Sequence, residues 1–118
     1  MELEQLQQLV IEKLDDMKAQ DIKVIDVRGK SSITDLMIIA TGNSTRHVKS
    51  LAQTVELAAK ESGVKPLGME GEQQGDWVLL DLNDVILHVM LANVRDFYNL
   101  EKLWEAGQSL PQARVGAA

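Results

Sequence analysis

The feature that most constrains this chain is a pair of short apolar segments separated by two turn-forming residues. Residues 77–82 and 85–91 are rich in valine, leucine and isoleucine, which favour strands, and Asn83-Asp84 lies between them. A two-residue connection of this type joins the strands of an antiparallel hairpin. We therefore predict a hairpin in which Leu82 pairs with Val85.

This register gives the hairpin two chemically different faces, because side chains alternate along a strand. One face is entirely aliphatic and is predicted to be core: Val78, Leu80, Leu82, Val85, Leu87 and Val89. The other face is mixed, and its cross-strand pairs are Trp77 with Met90, Leu79 with His88, and Asp81 with Ile86. Trp and Met are enriched in protein interfaces, so a partner surface is one interpretation. The alternative is that the last helix covers this face within the monomer.

The rest of the chain predicts an α/β domain with a sheet of about five strands and flanking helices. Apolar residues at helical spacing predict helices at about 2–19, 46–61 and 95–106, the last either continuous or in two short pieces. Ser44 or Thr45 is a candidate N-cap for the second helix, and Gly63 is a candidate for its end. The inner side of that helix is predicted to include Val48, Leu51, Ala52, Val55, Leu57, Ala58 and Ala59. Further strands are predicted at 22–27 and 35–41, and a short edge strand at 66–68. The strand at 35–41 is predicted to be central, because its apolar run suggests burial on both faces.

Length and composition limit the organisation and the possible partners. A chain of 118 residues is predicted to form one domain, residues 1–106, followed by a flexible tail at 107–118. The absence of cysteine excludes disulfides and thiolate metal sites. No apolar stretch is long enough to span a membrane and no leader is evident, so we expect a cytoplasmic protein.

The charge is unevenly distributed along the chain. The net charge is −6, and residues 66–118 carry eight acidic and three basic residues. An acidic half is unsuited to a phosphate backbone and suits a basic protein partner better. Solubility alone is the simpler explanation of the same charge.

Candidate catalytic motifs are incomplete. Gly29-Lys30-Ser31 lacks the upstream glycine of a phosphate-binding loop. Gly42-Asn43-Ser44, between a strand and a helix, is similar to the glycine-serine element of nucleotidyltransferases, whose helix N-terminus binds phosphate. That chemistry also needs clustered carboxylates to hold divalent metals, and the spacing of Asp81 and Asp84 does not direct both at one ion. His47 and His88 lack metal-ligand spacing, so no metal site or cofactor is predicted.

One group of basic residues could gather where the first strands meet the second helix. Its members are Arg28, Lys30, Arg46, His47 and Lys49. Such a patch could touch an RNA backbone, and a solvated rim is the alternative.

Several of these segments also carry a family resemblance. The blocks are DVRGKSSITD at 26–35, ATGNSTRHV at 40–48, PLGMEG at 66–71, DWVLLD at 76–81, DVILHV at 84–89 and RDFYNLEKLW at 95–104. In order and at compatible spacing, they resemble the signature blocks of the RsfS/Iojap family of ribosomal silencing factors over residues 5–105. Asn83 stands where many relatives are expected to have glycine.

The resemblance implies a nucleotidyltransferase-like α/β fold with a mixed sheet that lacks the catalytic carboxylates, and hence a protein that is not an enzyme. It implies binding to the ribosomal protein numbered fourteen of the large subunit, where it would block joining of the small subunit when nutrients are scarce. A homodimer when free, and a minor contact with ribosomal RNA, are further expectations. By matching motif, the expected contact residues are Trp77, Leu79, His88, Met90 and Tyr98, with a polar rim of Arg95, Asp81 and Glu70. The alternative is a nucleotidyltransferase-like enzyme that uses a divalent metal.

Overall fold

The computed structural model describes residues 1–105, with side chains as far as residue 103. The predicted tail, residues 107–118, lies outside the described residues. The elements follow one another as α1 (Leu3–Asp16), β1 (Gln20–Asp26), β2 (Leu36–Gly42), α2 (Thr45–Glu61), β3 (Gly68–Glu70), β4 (Trp77–Asp81), β5 (Val85–Leu91), α3 (Ala92–Tyr98) and α4 (Leu100–Glu105).

The five strands form one mixed sheet in the order β1-β2-β5-β4-β3. β2 and β5 are parallel, and the other neighbouring pairs are antiparallel. All seven residues of β2 are buried, as expected for a strand with neighbours on both sides and layers on both faces. The predicted α/β class, the five strands and the central place of β2 are confirmed.

The first two helices end in the same way, which explains why α1 is shorter than predicted. Lys18 adopts a positive φ of 65°, and the Ala19 N–H donates to the Leu14 carbonyl at 2.9 Å. Gly63 has φ 87°, and the Val64 N–H donates to the Ala59 carbonyl at 2.9 Å. This six-to-one hydrogen bond after a left-handed residue is the Schellman motif. It terminates α1 at Asp16, before the apolar pattern that predicted a helix to residue 19 is exhausted.

The main core lies between the sheet and the α1–α2 layer. The aliphatic face of the hairpin packs there with the buried residues of both helices, among them Leu6, Val10, Leu14, Val48, Leu51 and Val55. Leu57 is an exception, because it lies on the outer side of α2 with 58% of its surface exposed. Its predicted inward position was wrong, since it is two residues beyond Val55 and therefore about 200° around the helix.

A smaller core lies on the other face of the sheet, beneath α3 and α4. Its buried members are Ile25, Val27, Met37, Ile39, Met90 and Leu100. The predicted last helix is indeed two pieces, because Asn99 adopts left-handed angles (φ 49°, ψ 53°) between them. These two short helices cover only part of the face.

The basic residues predicted to gather are placed at opposite ends of the sheet. Arg28 and Lys30 follow β1, next to the start of β2, whereas Arg46 and Lys49 lie in the first turns of α2, beyond its end. Seven residues of strand separate the two places, roughly 20 Å. The expectation of one basic patch was wrong, because β2 carries the chain from one end of the sheet to the other.

Within residues 1–105, no helix is both long and apolar enough to cross a membrane.

Candidate partner-binding face

The hairpin adopts the predicted register. Trp77 pairs with Met90, Leu79 with His88, and Asp81 with Ile86. The mixed set of side chains therefore lies opposite the α1–α2 layer.

The turn of the hairpin is fixed at both ends. Asn83 has φ 74°, and its N–H donates to the Asp81 carboxylate at 2.8 Å. The carbonyl of Asp84 accepts the N–H groups of Asp35 and Leu36, at 3.1 and 3.0 Å. The tip of the hairpin is thereby joined to the start of β2, which holds the β4–β5 surface in place.

The two interpretations of the mixed face are each correct for part of it. α3 and α4 cover the half over β1 and β2, including Met90 from β5. The half over β4 remains open, with Trp77, Leu79 and Ile86 only partly buried. We call this open half, together with Phe97 and Tyr98 at the end of α3, the docking face.

Three aromatic rings lie in a row across the docking face: Trp77, Tyr98 and Phe97. The ring centroids of Trp77 and Tyr98 lie 4.8 Å apart, and those of Tyr98 and Phe97 lie 5.0 Å apart in an edge-to-face arrangement. Phe97 is 80% exposed and Tyr98 49% exposed. Aromatic residues left open in this way are the side chains that most often anchor protein complexes.

His88 lies beneath the aromatic rings, although it was predicted to contact a partner directly. Only 4% of the residue is exposed, and its Nδ1 accepts a hydrogen bond of 2.9 Å from the Trp77 indole N–H. An accepting Nδ1 places the proton of the neutral ring on Nε2. Burial lowers the pKa of His88 to about 4, so the ring is neutral at physiological pH.

Met90 also lies under the surface. It is 1% exposed and belongs to the core beneath α3 and α4, together with Ile39 and Leu100. The strand pattern identified the correct face for His88 and Met90, but it gave no information on where α3 would cover it. In this conformation both side chains lie below the residues that offer contact area to a partner, in a supporting position.

Arg95 was predicted at the polar rim and is instead a buried brace. Its Nε–H donates to the Glu101 carboxylate at 2.6 Å, and its Nη1 donates to the Asp21 carbonyl at 2.6 Å and to Thr41 Oγ1 at 2.8 Å. The guanidinium holds the pKa of Glu101 below its usual value. Arg95 therefore connects α3 to α4, to the start of β1 and to the end of β2.

The acidic rim consists of two of the predicted residues. Glu70 is exposed on β3 opposite Leu79, and Asp81 is half-buried at the end of β4 opposite Ile86. These two carboxylates give the margin of the docking face negative charge. Asp96 is also exposed, but it lies on the Arg95 side of α3, beside Asp21 and Thr41.

Phe97 is the principal residue that the sequence prediction omitted. Two adjacent residues of a helix point about 100° apart, so Phe97 and Tyr98 cannot both face the sheet. That spacing was available in the sequence and could have identified one exposed ring.

The Gly42-Asn43-Ser44 turn is occupied by helix capping. The Ser44 hydroxyl accepts the His47 N–H at 3.1 Å, and His47 Nδ1 accepts the Asn43 N–H at 2.9 Å. His47 Nε2 lies 2.8 Å from the Met17 carbonyl, which makes it the donor. In the part of the chain with described side chains, no three acidic or histidine residues are grouped as metal ligands would be.

Comparison with known proteins gives a consistent result. A family model described as "Ribosomal silencing factor during starvation" matches residues 1–117. The protein named "Ribosomal silencing factor RsfS" from Chromobacterium violaceum is 47% identical over 118 residues, which cover all of this chain and 95% of that protein. Its namesake from Haemophilus influenzae is 46% identical over 99 residues, covering 84% of this chain and 97% of that protein.

A solved structure and a more distant relative extend the comparison. The crystal structure of a Chromobacterium violaceum protein at 47% identity superimposes with a TM-score of 0.87 and covers 89% of this chain and 88% of that one. The mouse protein named "Mitochondrial assembly of ribosomal large subunit protein 1" is 31% identical over 99 residues, which cover 81% of this chain and 43% of the mouse protein.

Proposed function

The chain belongs to the family of ribosomal silencing factors, and from that membership and the docking face we propose that it represses translation by binding the large ribosomal subunit. The partner is the ribosomal protein numbered fourteen of that subunit, and occupation of its surface prevents the small subunit from joining. The effect is steric, takes place in the cytoplasm, and requires neither a cofactor nor a catalytic step.

The observation that carries the proposal is the open aromatic cluster of Trp77, Tyr98 and Phe97. These rings, with Leu79 and Ile86, provide apolar contact area around which a partner can exclude water. Interfaces draw most of their free energy from a few such buried anchors. The name of the mouse relative, which refers to the large ribosomal subunit, supports the choice of subunit.

The acidic rim supports a protein partner over RNA. Aromatic rings can stack on bases, but a face bordered by Glu70 and Asp81 repels phosphates. A basic ribosomal protein is attracted and oriented by the same charges.

The decisive experiment is sedimentation of ribosomal subunits with the purified protein. We expect the protein to travel with the large subunit and the 70S peak to fall in favour of free subunits. An unchanged 70S peak, with the protein left at the top of the gradient, would contradict the proposal.

Substitution of the central anchor tests the face itself. We expect Trp77→Ala to weaken binding to the large subunit by about 2 kcal/mol or more, because a largely buried aromatic anchor is lost from the interface. Leu57→Ala is the matched control, since Leu57 is an exposed apolar residue on the opposite side of the molecule. Equal cosedimentation of folded Trp77→Ala and Leu57→Ala would show that the docking face does not bind the large subunit.

We further propose that the free protein is a homodimer through the docking face, and that the dimer opens on binding. When the ribosome is absent, a second copy of this chain covers the open apolar face and removes it from water. Mixing the dimer with the isolated ribosomal protein should give a one-to-one complex in light scattering. A complex that still contains two copies of this chain would contradict the opening step.

The nucleotidyltransferase alternative has a direct test of its own. A calorimetric titration with nucleotide and magnesium should give no heat of binding. Micromolar affinity would favour an enzyme over a silencing factor.

A further inference from the structure

The indole of Trp77 is fixed from below by one hydrogen bond. Its N–H donates to Nδ1 of His88 at 2.9 Å, and the ring centroids lie 5.8 Å apart. Trp77 is partly exposed, whereas His88 is almost completely buried. The two side chains therefore form a pair in which one member faces outward and the other supports it.

The position of His88 in the sheet makes its chemistry unusual. Its neighbours across the sheet are Ile39 on β2 and Leu79 on β4, so its surroundings on the strands are apolar. A leucine would fill this place without the cost of burying an imidazole. The hydrogen bond to Trp77 is the specific interaction that leucine could not provide.

Stability alone does not require that bond. Because Trp77 is partly exposed, its N–H could be hydrogen-bonded to water if His88 were absent. A water molecule would accept the hydrogen bond but would not fix the orientation of the indole, because a mobile acceptor leaves the ring free to rotate about its side-chain torsions. His88 selects the orientation in which the indole contacts Tyr98, at a centroid distance of 4.8 Å.

We infer that His88 is a positioning residue, which acts through Trp77 to hold the aromatic cluster in its binding orientation before the partner arrives. The inference rests on the proposed function of the docking face. Immobilising a flexible side chain on association costs binding free energy, and a ring that is already oriented avoids this cost. Loss of the acceptor should therefore weaken binding about 3- to 10-fold.

Two substitutions separate positioning from packing. His88→Leu fills the space without an acceptor, and His88→Gln supplies an amide oxygen that can accept from the indole. Binding to purified large subunits is measured for both, and the Trp77 indole N–H resonance is followed by nitrogen-15 NMR, assigned with Trp77→Phe. We expect His88→Leu to remain folded, to shift the indole resonance towards that of a water-exposed N–H, and to bind more weakly. His88→Gln should restore most of the affinity.

A double-mutant cycle keeps the test decisive if His88→Leu is poorly folded. Trp77→Phe keeps an aromatic ring but removes the donor, so it breaks the same bond with His88 intact. If His88 acts through Trp77, the double variant with His88→Phe, a substitution that also removes the acceptor, should bind no more weakly than Trp77→Phe alone. Additive losses, or wild-type affinity of His88→Leu with a displaced indole, would overturn the inference.

Failure of the inference can be told apart from failure of the proposed function. Trp77→Ala that binds like the wild type would overturn the docking face and the inference together. Trp77→Ala that binds weakly, beside His88→Leu at full affinity, would overturn the positioning role alone.

Discussion

The buried imidazole of His88 couples the stability of the protein to pH. Its pKa is lowered from 6.5 to about 4 by burial, so the unfolded chain binds the proton more readily than the folded one. Stability from this group is therefore complete above pH 6.5 and is lost as the pH falls towards 4. Between pH 6.5 and 4.5 we expect the free energy of unfolding to fall by about 2–3 kcal/mol, measured by urea denaturation.

The control for this pH dependence is His88→Gln, which cannot take up a proton in that range. The hydrogen bonds from Arg28 lower the pKa of Asp26 to about 2, and the hydrogen bond from Arg95 lowers the pKa of Glu101, so the stability from both carboxyls also begins to be lost at the acid end of the window. This loss is shared by the wild type and His88→Gln, and the difference between the two profiles isolates His88. A wild-type stability that is flat between pH 6.5 and 4.5 would show that His88 is not buried as described.

Among the elements, α3 and α4 depend on the Arg95 brace. The side chains of Arg95 and Glu101 are 10% and 21% exposed. Removing one member of a buried ion pair leaves the charge of the other without a partner. We expect Arg95→Met to lower the free energy of unfolding by about 2–4 kcal/mol. Hydrogen exchange should show the loss of protection concentrated in these two helices.

The matched control is Arg28→Met, because the Arg28–Asp26 pair has side chains 57% and 51% exposed. An exposed pair contributes little, so this variant should be much closer to the wild type. If both substitutions reduced stability equally, Arg95 would not be acting as a brace.

The hairpin depends on one left-handed residue at its turn. Asn83 has φ 74°, a conformation that asparagine and glycine tolerate and β-branched residues resist. We expect Asn83→Val to lower the free energy of unfolding by about 1–2 kcal/mol, and Asn83→Gly to change it far less. Thermal unfolding of the two variants provides the measurement, and equal losses would place the strain elsewhere in the turn.

At the scale of the whole molecule, the negative charge should affect how fast the protein binds. The net charge is −6, and the carboxylates of Glu70 and Asp81 border the docking face. Electrostatic attraction raises association rates and is screened by salt. We expect Glu70→Gln together with Asp81→Asn to slow association with the large subunit and to reduce its dependence on salt.

The corresponding control is a double substitution of equal charge on the α1–α2 side, Glu12→Gln with Glu61→Gln. Both residues are exposed there, away from the docking face. Stopped-flow kinetics at several salt concentrations would distinguish the two. A similar slowing by both pairs would mean that net charge, and not its position, controls the encounter.

The sequence by itself determined the hairpin, its register and the division into an aliphatic and a mixed face. This was possible because strand periodicity is local, and a slip of one residue would have reversed every side chain. It also limited the N-cap of α2 to Ser44 or Thr45, since capping involves only residues within one helical turn, and the structure has Ser44.

Only the tertiary structure decided which part of the mixed face is open. The part of the face that α3 and α4 cover depends on Asn99, which turns the chain between the two helices. It also depends on the contact of Arg95 with Asp21, 74 residues away in sequence. Such contacts produce no periodicity in the sequence, because they join segments that are far apart along the chain and whose hydrophobic patterns are independent. For this reason His88 and Met90 were predicted on the correct face but without their burial, while Phe97, which lies on the outer side of α3, was missed.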